Sequence, residues 1–205
     1  MEGTFTTDQF NLLKDYFETF ENLNSRRLAI QILKDLPPYI FVVPASSSGK
    51  YHPEYTTGNG GLFRHMVATA CILNHLLSID IYKNLFTPRE RDLLRIAALF
   101  HDGRKSGTQE DYEKKPNTKF EHPLLMADAV RNLAKSGLFA IEDYEYVASA
   151  IESHMGQWNT SKDSSTVLPL PVTEAQKLVH TADYLASRKD IEFLFQSVNK
   201  QTNLF

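Results

Sequence analysis

Seven histidines are spread along the 205 residues: His52, His65, His75, His101, His122, His154 and His180. Several occupy positions where an amphipathic helix places an aliphatic side chain. His65 shares a helical stripe with Leu62, Thr69, Ile72 and Leu76, and His154 continues the stripe of Tyr144, Val147 and Ile151. His101 and Asp102 close the most apolar helical run in the chain, and Asp183 lies among Val179, Ala182 and Ala186. A carboxylate or imidazole buried without partners is costly. One such residue alone is ordinarily a hydrogen-bonded core residue. Several on separate helices are different, because the helices of a bundle turn their inward faces towards a shared centre. A metal ion is one economical resolution, since it satisfies several such groups at once. Mixed imidazole and carboxylate donors suit zinc, manganese, iron and similar transition ions rather than calcium.

Positioning such groups requires helices, and the dominant period of the sequence is helical. Phe10, Leu13, Phe17 and Phe20 fall on one stripe and predict a helix over 7–22. Ser25 can cap a second helix carrying Leu28, Ile32 and Leu36, which Pro37 and Pro38 terminate. A third runs from Leu62 to Leu77. Thr87, Pro88 and Glu90 form an N-terminal capping signature for a fourth, through Phe100. A fifth extends from His122-Pro123 to near Gly137, a sixth from Ile141 to Met155, and a seventh opens at Thr173 with Gln176 three residues on. Tyr39–Val43 is the one β-like run, and Pro44 follows it. The class is all-α, in a single domain over 1–205 with residues 191–205 as a final helix or tail. Three connections, 37–61, 103–121 and 156–171, are longer than a bundle needs, which marks them as functional or disordered.

The ordered series His65, His101-Asp102, His122, His154 and Asp183 resembles the HD-domain superfamily of metal-dependent phosphohydrolases. The resemblance covers about 44–190, the metal-binding core, with 1–36 as N-terminal helices. Its local strings are Gly60-Gly61-Leu62-Phe63-Arg64-His65, Leu99-Phe100-His101-Asp102 with Lys105, Glu121-His122-Pro123-Leu124-Leu125, Glu152-Ser153-His154 and His180-Thr181-Ala182-Asp183. Two departures stand out. Gly103-Arg104 replaces the usual hydrophobic residue and glycine, and Met155 stands where some relatives have a second adjacent histidine.

The resemblance implies an HD-type helical bundle with long loops around a central metal site. His65, His101, Asp102 and Asp183 would hold one ion. His122 and His154 resemble the two-metal branch, in which Asp102 bridges the pair. The cofactor would be one or two divalent ions: manganese, iron, zinc, nickel or cobalt, with magnesium a further option. The implied reaction is hydrolysis of a phosphate mono- or diester, of a nucleotide or short oligonucleotide, by a metal-bound hydroxide. Asp102 and Lys105 would be catalytic. The alternatives are a di-iron oxygenase using the same six ligands, a 3′–5′ exonuclease-like phosphodiesterase, and a non-catalytic metal-binding regulatory module.

Substrate contacts are expected near these segments. Lys105 lies three residues after Asp102, within reach of a phosphoryl group, and the Arg104 guanidinium beside it could take a phosphate bidentately. Lys50 belongs to Ser46-Ser47-Ser48-Gly49-Lys50-Tyr51-His52-Pro53, whose hydroxyls and lysine could meet phosphate, though the stretch lacks the Walker frame. Glu121 and Glu152 precede ligand histidines and could orient an imidazole or move a proton. His180 reads as an outer or structural group and His75 as a surface or packing residue. Trp158 and Tyr51 could stack a base.

Composition bounds the partners. A formal net charge of -3 (22 basic, 25 acidic residues) argues against coating a long nucleic acid, and favours a small phosphorylated substrate. The single cysteine, Cys71, excludes an internal disulfide and Cys-rich zinc modules. No run approaches the roughly 18 apolar residues of a membrane span, and no signal peptide opens the chain. The expectation is a soluble, cytoplasmic protein.

Overall fold

Four helices begin where a side chain caps their free amides and the third helical residue reaches back. These capping boxes pair Thr6 with Gln9, Thr87 with Glu90, Thr108 with Asp111, and Thr173 with Gln176. The computed structural model describes residues 6–46 and 52–191. Its helices are α1 (Thr7–Phe17), α2 (Leu23–Asp35), α3 (Gly61–Ser78), α4 (Asp80–Lys83), α5 (Pro88–Phe100), α6 (Gln109–Lys114), α7 (His122–Leu133), α8 (Ile141–Glu152) and α9 (Glu174–Ala186). Short 3₁₀ turns occupy Pro38–Phe41, Glu54–Thr56 and Ala134–Ser136. Among the described residues there is no strand, only an isolated bridge between Ser161 and Ser164. The fold is all-α.

Helix α5 is the hub. Leu94, Ile96, Ala97, Ala98, Leu99 and Phe100 are all buried, so the helix is covered on every side, as a central helix must be. It packs against α2, α3, α8 and α9; α3 also meets α9, and α7 lies along α8. This arrangement aims the C-terminal end of α5, and with it His101-Asp102, into the middle of the other helices. Gly61 opens α3 against the turn at Glu54–Thr56, where any Cβ would collide with the Thr56 carbonyl.

The structure corrects several local expectations. Helix α1 stops at Phe17 rather than near residue 22. Phe20 folds back edge-on to the rings of Tyr16 and Phe17, at centroid distances of 5.9 and 5.7 Å. The Glu21 and Asn22 amides then donate to the buried Asp92 carboxylate at 3.0 and 2.8 Å. Asn22, not Ser25, caps α2, its Oδ1 accepting from the Asn24 amide at 2.7 Å; Ser25 is buried inside the first turns. Phe10 is 56% exposed and does not join the core stripe. The β-like run at Tyr39–Val43 is a 3₁₀ turn held from afar, since the Tyr39 hydroxyl donates to the Gly107 carbonyl at 2.9 Å and accepts from the Ser106 amide at 2.9 Å. The connection 103–121 contains α6, and Tyr112 from it stacks on Tyr39. Helix α8 ends at Glu152, leaving His154 in the turn beyond. The expected tail over 192–205 lies outside the described residues.

Asp92 ties the α1–α2 corner to the hub, pairing with Arg95 at 2.7 Å while receiving the two amides. Asp92→Ala leaves those donors and a buried guanidinium under-satisfied, an effect of about 3 kcal/mol. Urea unfolding should show that loss as a lower midpoint at unchanged slope.

Candidate metal centre

Three of the histidines use one local device. The Nδ1–H of His101 donates to the Ala98 carbonyl at 2.8 Å, that of His122 to Lys119 at 2.7 Å, and that of His154 to Ile151 at 2.7 Å. A carbonyl only accepts, so each bond fixes the proton on Nδ1 and turns a bare Nε2 inward in the neutral ring. Each acceptor lies three residues upstream. His101 sits at the C-terminal end of α5, His122 at the start of α7 and His154 just beyond α8. His65 comes from the second turn of α3, and Asp183 from α9.

These side chains converge around Asp102. One carboxylate oxygen, Oδ2, lies 3.7 Å from His65 Nε2 and 3.6 Å from His101 Nε2. The other, Oδ1, lies 3.0 Å from His122 Nε2 and 3.7 Å from His154 Nε2. Asp183 Oδ1 closes the first group, 3.0 Å from His65 Nε2 and 3.4 Å from His101 Nε2. The imidazoles form a buried chain, with ring centroids 5.1 Å apart from His65 to His101, 4.9 Å to His154 and 5.2 Å on to His122. Ligand-type atoms of three overlapping trios, His65–His101–Asp102, His101–His154–Asp183 and Asp102–His122–His154, lie close enough to hold an ion.

The donor set asks for a cation. The Nε2 atoms of His65 and His101 face each other at 3.2 Å. Buried His122 Nε2, despite its short approach to Asp102, has no aligned hydrogen-bond partner, and neither does His65 Nδ1. Burial opposes ionisation of Asp102, but Lys105, His101 and His122 outweigh it and hold the carboxyl well below the usual range. Asp183 is likewise held low against its burial, by His101 and His65. Burial depresses His122, with Lys105 adding to the effect, and pushes His154 down to about 3, with His101 adding to it. Burial also acts against protonation of His101, yet Asp102 and Asp183 together raise it. At neutral pH the centre therefore offers anionic carboxylates and, at His122 and His154, neutral imidazoles, the forms in which both bind metals.

The remaining candidates divide. Lys105 Nζ joins the centre, 3.0 and 2.8 Å from the two Asp102 oxygens. Arg104 instead bonds the carboxylate and carbonyl of Asp35 at the end of α2, and so is engaged with Asp35 rather than with any cluster residue. Glu152 pairs with Arg131 at 2.8 Å, and Glu121 accepts from Ser164. Neither orients an imidazole; backbone carbonyls do that, which no side-chain motif could have announced. His180 donates from Nδ1 to the His154 carbonyl at 2.7 Å, while His75 is exposed near the end of α3. Lys50 lies outside the described residues. His52, from the same segment, stands edge-on to His65 at 6.3 Å between centroids.

The family model of the HD domain matches residues 62–188, more than half of the chain, and the chain belongs to this family. Its members are all-α proteins and generally metal-dependent phosphohydrolases, and the buried His/Asp groups here could hold a metal ion. Comparison with curated proteins and with solved structures gives no match. Among the described residues, no helix is long and apolar enough to cross a membrane.

The division of the centre can be tested by metal content. His122→Ala or His154→Ala should lose about one ion per chain and retain the other, as a two-metal site requires. Elemental analysis showing one ion in the wild type and in both variants would identify a mononuclear centre.

Proposed function

We propose that this chain is a divalent-metal-dependent phosphohydrolase acting on a phosphate mono- or diester of a nucleotide or short oligonucleotide, folded as one domain around the core at 44–190. The observation that carries the reading is the division of labour at Asp102, whose two oxygens face two different pairs of imidazole Nε2 atoms. His65, His101, Asp102 and Asp183 would hold one ion, and Asp102, His122 and His154 the other. Divalent ions in such a site supply Lewis acidity towards a phosphoryl oxygen and make water nucleophilic at neutral pH.

The chain's own groups have distinct tasks in this reading. The Nδ1 bonds to Ala98, Lys119 and Ile151 hold three imidazoles in register, so the donor geometry is preset. Lys105 steadies Asp102 and places an ammonium beside the reacting phosphoryl group, where negative charge develops. Arg104, whose Nη2 bonds Asp35, remains a proposed phosphate contact on sequence grounds. Lys50 remains a proposed phosphate contact on sequence grounds alone.

Asp102→Ala should abolish metal-dependent hydrolysis with little change in helical circular dichroism; full activity in that variant overturns the assignment. The assay should use protein purified without oxygen, with metals quantified and phosphatase, phosphodiesterase and oxygen-uptake activities measured on one sample. Oxygen consumption without phosphate release would identify the di-iron oxygenase alternative.

Substrate size gives a separate expectation. With a net charge of -3, few phosphates can be engaged, so binding should weaken only shallowly as salt rises. A slope corresponding to roughly six or more displaced counterions would point to an extended nucleic-acid groove and an exonuclease instead.

A further inference from the structure

Beyond the metal ligands, the chain leaving His154 follows an unusual course. Gly156 has φ +55°, and a Cβ there would collide with the His180 ring, so the backbone lies flat against that imidazole. His180 in turn donates to the His154 carbonyl. This close approach delivers Trp158, four residues after one ligand, onto Tyr184, the residue that follows another. The two rings stack with centroids 5.8 Å apart and planes 13° apart, and His180 flanks Trp158 at 6.2 Å. One turn further along, the Arg188 guanidinium sits 4.3 Å from the Tyr184 centroid and 6.0 Å from that of Trp158. Its buried Nε has no hydrogen-bond partner among the described residues. Trp158 is nonetheless 44% exposed.

We infer that Trp158, backed by Tyr184 and flanked by Arg188, is the shelf on which the base of a nucleotide substrate stacks while its phosphate occupies the metal centre. The inference rests on the phosphohydrolase reading and adds the group that recognises the base. A tryptophan stacked on a second ring and left substantially exposed can offer a planar π surface to another planar ring. Such stacking tolerates any base, because each has a π face, and a neighbouring guanidinium strengthens it. The shelf is tied to both halves of the centre: to His154 through Gly156 and His180, and to Asp183 through helix α9. A base seated there is therefore held at a fixed offset from the proposed reaction site. A merely structural Trp158 would pin the 156–171 connection to α9 and take no part in substrate affinity.

Trp158 is the only tryptophan in the sequence, so emission excited at wavelengths where tyrosine does not absorb reports the shelf alone. The full-length, metal-loaded protein should be titrated with adenosine 5′-monophosphate, uridine 5′-monophosphate, ribose 5-phosphate and inorganic phosphate. Both nucleotides should change the emission saturably, and the two base-free probes should not. Trp158→Ala should raise KM for the nucleotides by roughly 5- to 150-fold, the range for loss of one stacked base, with kcat little changed. Trp158→Phe should recover most of that loss, and turnover of ribose 5-phosphate should be unaffected by either substitution. Equal responses to ribose 5-phosphate, or no saturable response to nucleotides, overturn the shelf, and the wild-type titration decides this even where a variant fails to fold. Nucleotide hydrolysis without an emission change would leave the phosphohydrolase reading standing and remove the shelf. Saturable emission changes without hydrolysis under any divalent metal would do the reverse.

Discussion

Two carboxylates and four imidazoles packed into a protein interior are the constraint on which this structure turns. Asp102 and the rings of His65, His101, His122 and His154 are all but inaccessible to water. Ions stripped of solvent are strongly unfavourable unless opposite charge and hydrogen bonds replace the water. Lys105 supplies one charge directly, by contacting both oxygens of Asp102. The carbonyls of Ala98, Lys119 and Ile151 supply the hydrogen bonds at the outer side of three rings. The unsatisfied Nε2 of His122 points inward, towards the place a metal would take.

The fold provides those carbonyls because of where the ligands sit. The last carbonyls of a helix have no intrahelical donor. His101 and His154 lie at or just past the ends of α5 and α8, so their Nδ1 groups reach last-turn carbonyls without breaking a helix. His122 achieves the same at the start of α7, bonding to the loop residue Lys119. Ends of helices, rather than their middles, therefore fix most of the imidazole orientations. His65 is the exception, set within α3 with an Nδ1 that finds no partner.

The same physics explains what the sequence revealed. A histidine or aspartate on an apolar helical stripe is legible because its polarity contradicts its position; that contradiction exposed His65, His101, Asp102, His154 and Asp183, and the family resemblance alone added His122. The starts of α5 and α9 were legible because a capping box is a contract among four neighbouring residues. Distant partners decide the rest. Ser25 lost the cap to Asn22, at a corner where the Glu21 and Asn22 amides bind Asp92, some seventy positions later in the chain. Tyr39 reads as a strand residue by its neighbours, yet its hydroxyl is bound at Ser106 and Gly107. Arg104 reads as a phosphate ligand from its place beside Lys105, and its bond to Asp35 on another helix could be read from no neighbouring residue.

Charge also bears on how substrate reaches the centre. The carboxylates of Asp102 and Asp183 outnumber the ammonium of Lys105, so the protein groups alone present a negative site to a phosphate unless His101, whose affinity for a proton is raised, is charged. Two divalent cations would reverse that sign. In this reading metal loading is what makes the centre attractive to an anion, and the surface needs no excess of basic residues to do so. A net charge of -3 is then compatible with a phosphorylated substrate. The attraction is local, confined to the few phosphates that reach the ions, so it discriminates poorly between one phosphate ester and another. In this reading selectivity has to come from surface next to the ligands, and the connection that follows His154 is a part of the fold placed to supply it, since loops vary more readily than the helices they join.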